Sequence, residues 1–163
     1  MNINGPDSQE VSPASRPPIV PVPNLWNLRA MTTQVASCSC GQLRLTCEGE
    51  PVRISLCHCL ECQKRTGSVF ATQARFPRER VTIQGRATQW TRAGDSGGSA
   101  TFSFCPVCGS TVYWEPREMP DFVSVAVGAF ADPSFPPPRV SVYEERRHPW
   151  ALAAGLLPLE HEF

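Results

Sequence analysis

From residue 41 onward, apolar positions recur mostly at every second residue. Leu43, Leu45 and Cys47 alternate with Arg44, Thr46 and Glu48, the spacing of a strand with one buried face. Six further runs are short and rich in β-branched and aromatic residues: Val69–Phe76, Val81–Gln84, Ala100–Phe104, Thr111–Trp114, Phe122–Val127 and Val140–Tyr143. Each is bounded by Gly, Pro or Asp, so each is predicted as a strand. Gly94–Gly98 (GDSGG) reads as a hairpin tip, and the proline-rich Asp132–Pro138 is too stiff for a helix. Helical spacing is confined to a turn near Leu60–Arg65 and to the stretch Trp150–Leu156. There are no repeats and no heptads. The pattern predicts a mainly β, mainly antiparallel small domain with little helix.

Residues 1–30 differ in kind. They hold six of the 17 prolines and show no hydrophobic periodicity, and Met31 follows them at once. Such a segment buries too little apolar surface to offset its ordering entropy, so it is expected to be a disordered tail ahead of a domain spanning 31–163. A chain of 163 residues still leaves enough for a real core. The 15 Lys+Arg balance the 15 Asp+Glu, which argues against a general nucleic-acid binder or an acidic-membrane binder. No apolar run reaches the length of a membrane span, and no basic stretch followed by an apolar one opens the chain. A soluble, cytoplasmic protein is expected, with no membrane partner.

Composition changes the picture at one residue type. Seven of the eight cysteines fall in three clusters: Cys38-Ser-Cys40, Cys57-His-Cys59-Leu-Glu-Cys62 and Cys105-Pro-Val-Cys108-Gly. A C-x-x-C turn closed by Gly lets two sulfurs converge on one zinc ion, Gly supplying the positive φ. It offers two ligands of the four a closed site needs, and Cys38 and Cys40 are available for the rest. The middle cluster is odd in number. Three thiolates with an open fourth position are the arrangement of catalytic zinc, whereas four close a structural site. The alternative is that Cys47 completes a second closed site. Cys47 shares a face with Leu43 and Leu45, however, and so reads as a small core hydrophobe. Between two ligating cysteines, His58 should point away from them, and His58, His148 and His161 are expected to be ordinary surface or hydrogen-bonding side chains. A disulfide framework fits poorly with an odd cluster in a chain expected to stay inside the cell. A redox-active Cys105/Cys108 pair would sit between a strand and a helix, and here strand-like sequence flanks both sides.

These residues resemble the family of the glutathione-dependent formaldehyde-activating enzyme, which includes centromere-protein-V-like proteins. The matching elements are Cys38-Ser-Cys40-Gly41, then Cys57-His58-Cys59-Leu60-Glu61-Cys62-Gln63-Lys64-Arg65-Thr66-Gly67-Ser68, then Phe104-Cys105-Pro106-Val107-Cys108-Gly109-Ser110, with the late Pro149-Trp150. The likeness covers roughly residues 36–151. It implies a β-tent of antiparallel sheets pinned by zinc, with Cys38, Cys40, Cys105 and Cys108 as the structural site. Cys57, Cys59 and Cys62 are implied as the catalytic one. Spacing alone gives four closed and three open ligands; the grouping comes from the resemblance. Two Zn2+ ions per chain follow.

The implied reaction joins glutathione reversibly to formaldehyde, giving S-hydroxymethylglutathione, a carbon–sulfur lyase reaction in the breaking direction. Lys64 and Arg65 are candidates to pair with glutathione's carboxylates. Backbone N–H groups around Thr66, Gly67 and Ser68 are candidates for a developing oxyanion. Glu61 reads as a surface acid. The approach to the third cluster, Ser99–Phe104, carries no basic residue of its own. The competing reading is a zinc-stapled binding module without catalysis, and a weaker one is thiol-based metal buffering.

Overall fold

The structure is a computed structural model that describes residues 32–94, 97–151 and 160–162. The expected tail over 1–30 and nearly all of the helical stretch expected over 150–156 lie outside the described residues. In chain order, strands β1 (Thr33–Ser37), β2 (Arg44–Glu48) and β3 (Arg53–Cys57) precede the short helix α1 (Leu60–Thr66). Then follow β4 (Ala71–Pro77), β5 (Val81–Gln84), β6 (Thr88–Ala93), β7 (Ser99–Phe104), β8 (Thr111–Pro116), β9 (Phe122–Ala126), β10 (Val140–Val142) and β11 (Glu160–Glu162).

Two sheets result. The smaller runs β1-β2-β5 and is antiparallel. The larger runs β11-β10-β3-β4-β9-β8-β7-β6, with β10 parallel to both β3 and β11 and the other pairs antiparallel. The mainly β expectation is therefore met, with one parallel corner at β10. Gly94–Gly98 does join two antiparallel strands, β6 and β7, and Asp132–Pro138 connects without helix.

Core packing follows from the alternation. Leu43, Leu45, Cys47 and Val81 of the small sheet meet Ile54, Ala74, Phe76, Val123 and Val125 of the large one. Both sides of this core are closed, Leu43, Leu45, Cys47, Ala74, Phe76, Val123 and Val125 having no solvent exposure. Phe130, on a 3-10 turn over Val127–Phe130, packs tilted against Phe76 with ring centroids 6.1 Å apart. Burying large apolar side chains between two sheet faces stabilises by about 1.5–3 kcal/mol each.

The opposite face of the large sheet is assembled by register alone. Cys57 lies across from Ala71, Phe102 from Trp114, and Ala100 from Arg92. Trp114 pairs with Ser124, which pairs with Arg75, and Arg75 shares its face with Gln73 and Ala71. Arg92, Phe102, Trp114, Gln73 and Cys57 therefore share one face, away from the core.

Candidate functional site

Backbone geometry brings the middle cysteine cluster together. Cys57 ends β3, and Cys59 is the N-cap of α1, held extended at φ −60°, ψ 145°. Its sulfur accepts a hydrogen bond from the Cys62 N–H at 3.3 Å, the job an N-cap acceptor does for the first helical turn. All three sulfurs lie within 4.8 Å of one another. His58, between the two clustered cysteines, faces the other way, as expected of an extended chain. Its backbone is fixed on both sides, the N–H donating to the Val142 carbonyl at 3.0 Å and the carbonyl accepting from Gln63 Nε2 at 2.8 Å.

One expectation about His58 is corrected. It is neither a surface residue nor a hydrogen-bonding one: the ring is fully buried, and neither nitrogen has a hydrogen-bond partner. Phe70 lies edge-on at 6.1 Å and Glu144 Oε1 is 4.0 Å from Nε2. Burial holds its pKa below the usual imidazole value, partly opposed by the Glu144 charge. The parallel β10 runs beside β3, Val142 pairing with Cys57, and carries the chain on to Glu144 near the ring. His148 does hydrogen-bond, to Gln63 Oε1 at 3.1 Å.

The other two clusters meet at the far side of α1. Cys38 and Cys40 follow β1 in a turn closed by Gly41 N–H to the Cys38 carbonyl at 2.9 Å. Cys105 and Cys108 follow β7 in a matching turn, Gly109 N–H bonding the Cys105 carbonyl at 2.9 Å, with Gly109 at φ 74°. The four sulfurs also fall within 4.8 Å of one another, Cys38 and Cys40 being 3.5 Å apart and Cys40 and Cys105 3.6 Å. Gln42 Nε2 donates to the Cys105 sulfur at 2.9 Å, and the backbone N–H of Val107 does so at 3.4 Å. Donors of this kind stabilise thiolate sulfur. Cys47 belongs to neither cluster and is enclosed in the core.

The thiols within each cluster are unequal. Hydrogen bonds from Cys57 and Cys62 hold Cys59 well below the ordinary thiol range, while the bond to Cys59 pushes Cys57 up. Cys108 is lowered to about 5, chiefly by Ser110. Sets of three and four convergent sulfurs, short of hard oxygen ligands, fit a soft or borderline cation such as zinc.

A cavity of about 220 Å3 opens directly over Cys57, Cys59 and Cys62. Phe102 and Trp114 form its apolar wall, tilted against each other with centroids 5.6 Å apart. Arg92 and Glu118 are its charged side chains among the described residues. The Glu118 carboxylate is engaged, accepting the Ser99 N–H at 2.9 Å. Tyr143 lines the cavity from a left-handed backbone conformation, φ 58°, which is rare for a bulky residue and costs free energy that the surrounding structure must offset.

None of Lys64, Arg65, Thr66, Gly67 and Ser68 lines this cavity. Lys64 points outward and pairs with Glu61 at 2.7 Å. Arg65 packs its guanidinium on Trp114 and Phe102, 4.6 and 5.0 Å from the ring centroids. Thr66, Gly67 and Ser68 form the C-terminal cap of α1. Gly67 N–H bonds the Gln63 carbonyl at 2.9 Å and Ser68 N–H bonds Thr66 Oγ1 at 3.2 Å, so these two donors are already used. Arg65 and Thr66 instead border a separate concavity beside Ser39 and Ser110.

Arg92 is the site residue that sequence reasoning missed. Thr88–Ala93 (TQWTRA) has no apolar alternation to mark it as a strand. The available signal was the GDSGG hairpin, because folding the chain back about that tip places Arg92 beside Ala100.

A sequence model of the glutathione-dependent formaldehyde-activating enzyme family matches residues 33–146, a span that contains all seven clustered cysteines. No curated protein sequence matches the chain. Among solved structures, a crystal structure of a Rhodobacter sphaeroides protein is similar at 20% identity and a TM-score of 0.46, covering 63% of this chain and 91% of that one.

Proposed function

The chain belongs to the glutathione-dependent formaldehyde-activating enzyme family, and from that premise we propose that it makes and breaks a thiol–aldehyde adduct, in the manner of a carbon–sulfur lyase, with glutathione as the thiol. The observation that carries this reading is the placement of the three-cysteine cluster at the floor of an open cavity, while the four-cysteine cluster lies elsewhere. Cys57, Cys59 and Cys62 would hold one zinc and Cys38, Cys40, Cys105 and Cys108 the other, two per chain. Zinc held by three thiolates supplies an open, thiophilic position that keeps a substrate thiol ionised near neutral pH.

The chain's own residues position and shield the reaction. Phe102 and Trp114 hold water off one side of the cavity, which strengthens electrostatic interactions within it. The Arg92 guanidinium stands 4.0 Å from the Cys59 sulfur and offsets part of the negative charge gathered on the thiolates. In the joining direction the thiol loses its proton and its sulfur attacks the carbonyl carbon of formaldehyde. The carbonyl π pair moves to oxygen, which takes up a proton, so the adduct forms with no other product. The reverse breaks the same carbon–sulfur bond. Pre-positioning the two reactants is the main source of rate expected from such a site.

Cys59→Ala tests the proposal. Magnetisation-exchange NMR of a glutathione and formaldehyde mixture should show faster adduct exchange with the wild-type protein than without it. The variant should lose that acceleration while keeping the wild-type far-ultraviolet circular dichroism. Undiminished acceleration by Cys59→Ala would contradict the reading.

A further inference from the structure

Among the described residues, the cavity over the three-cysteine cluster is lined by one cation, Arg92, that its fold position makes available to a ligand. Strand β6 is the edge of the large sheet, and Arg92 sits opposite Ala100, whose small side chain leaves the guanidinium room to lie over Phe102 at 5.6 Å from the ring centroid. One guanidinium nitrogen, Nη1, donates to the neighbouring Ala93 carbonyl at 3.0 Å, and Nη2 points to the Cys59 sulfur at 4.0 Å. Among the described residues Arg92 pairs with no carboxylate. Glu118, across the cavity, is held by the Ser99 N–H instead. An arginine lining a largely apolar cavity, with no carboxylate partner among the described residues, keeps guanidinium N–H donors for one.

We propose that Arg92 is the residue that selects for an anionic thiol, binding a carboxylate of the substrate while the substrate sulfur meets the three-cysteine cluster. This rests on the thiol-binding reading above and adds to it which part of the thiol is recognised. A volume of about 220 Å3 is below the roughly 300–1,000 Å3 of pockets that enclose a drug-sized ligand. The cavity therefore takes in the reacting cysteinyl group and what lies close to it, not a whole tripeptide. Arg92 stands beside the sulfur position, so of glutathione's two carboxylates it reaches the one on glycine, which is nearer the sulfur than the γ-glutamyl one.

The test is calorimetric binding of two thiols to the zinc-loaded full-length protein: glutathione, and glutathione amidated at its glycine carboxyl. Wild type should bind the acid roughly tenfold more tightly than the amide, the size of one charge-assisted contact. Arg92→Gln should erase that preference by weakening the acid alone, with two zinc ions per chain retained. Arg92→Lys should restore part of it. Equal weakening of both thiols by Arg92→Gln, or an undiminished preference, would overturn the role given to Arg92 while leaving the thiol site standing. If wild type binds neither thiol at millimolar concentration, the thiol-binding reading falls and this inference with it.

Discussion

Individual residues here owe their roles to which side of the chain they face. Cys57 and Cys59 turn toward the cavity, and the intervening His58 is driven into the interior behind them. Cys47 has the same chemistry as the clustered cysteines and a different fate, because strand alternation sends it into the core with Leu45. Burial pushes its thiol up to about 12 from an ordinary value of 9.0. Between those two pH values the unfolded chain has lost the proton and the folded chain keeps it. Stability contributed by this residue is therefore complete below pH 9 and declines as pH rises toward 12. Cys47→Val should remove that decline when urea unfolding is followed across the window, and should leave the zinc content per chain unchanged. Loss of one zinc equivalent in this variant would make Cys47 a ligand.

At the scale of elements, the turns that present the cysteines are braced by neighbours remote in sequence. Gly85 follows β5 at φ 95°, and a Cβ there would stand 1.9 Å from the Gln42 carbonyl oxygen. Gln42 in turn bonds both backbone groups of Arg86 and the Cys105 sulfur. Gly85→Ala should cost about 1–3 kcal/mol through backbone strain and displacement, and should speed loss of metal from the four-cysteine cluster to a chelator. Gly67→Ala, also at positive φ but in open space, should cost about 1 kcal/mol and spare the metal. Equal chelator sensitivity of the two would count against the brace.

The elements that were legible in the sequence are those with apolar alternation or with a run of β-branched and aromatic residues, the latter including β8 and β9, which are buried on both faces. Strands β2, β5 and β8 show clear alternation or β-branched runs. Strand β3 was missed because it is covered on both sides, Ile54, Ser55, Leu56 and Cys57 all being buried, so no period of two survives. Strand β6 was missed for the opposite reason: it is an exposed, polar edge. With those two strands went the register that puts Arg92 over Cys59.

Across the whole molecule, the two thiol clusters occupy different places, and the proposed function gives them different work. The four-cysteine cluster ties the small sheet, through Cys38 and Cys40 after β1, to the large sheet, through Cys105 and Cys108 after β7. The three-cysteine cluster joins only β3 to α1 and opens on the cavity. Structural zinc contributes on the order of 10–16 kcal/mol in small zinc peptides, against net domain stabilities of about 5–15 kcal/mol. Losing the tie between the sheets should therefore unfold the domain, and losing the other ion should not. Stepwise chelation of the zinc-loaded protein, with metal content and circular dichroism read together, tests this most directly. Two steps are predicted: a first equivalent leaves with the fold intact, and the second leaves only as the fold is lost. Release of both ions in one step that coincides with unfolding would contradict the division into an open reactive site and a closed structural one.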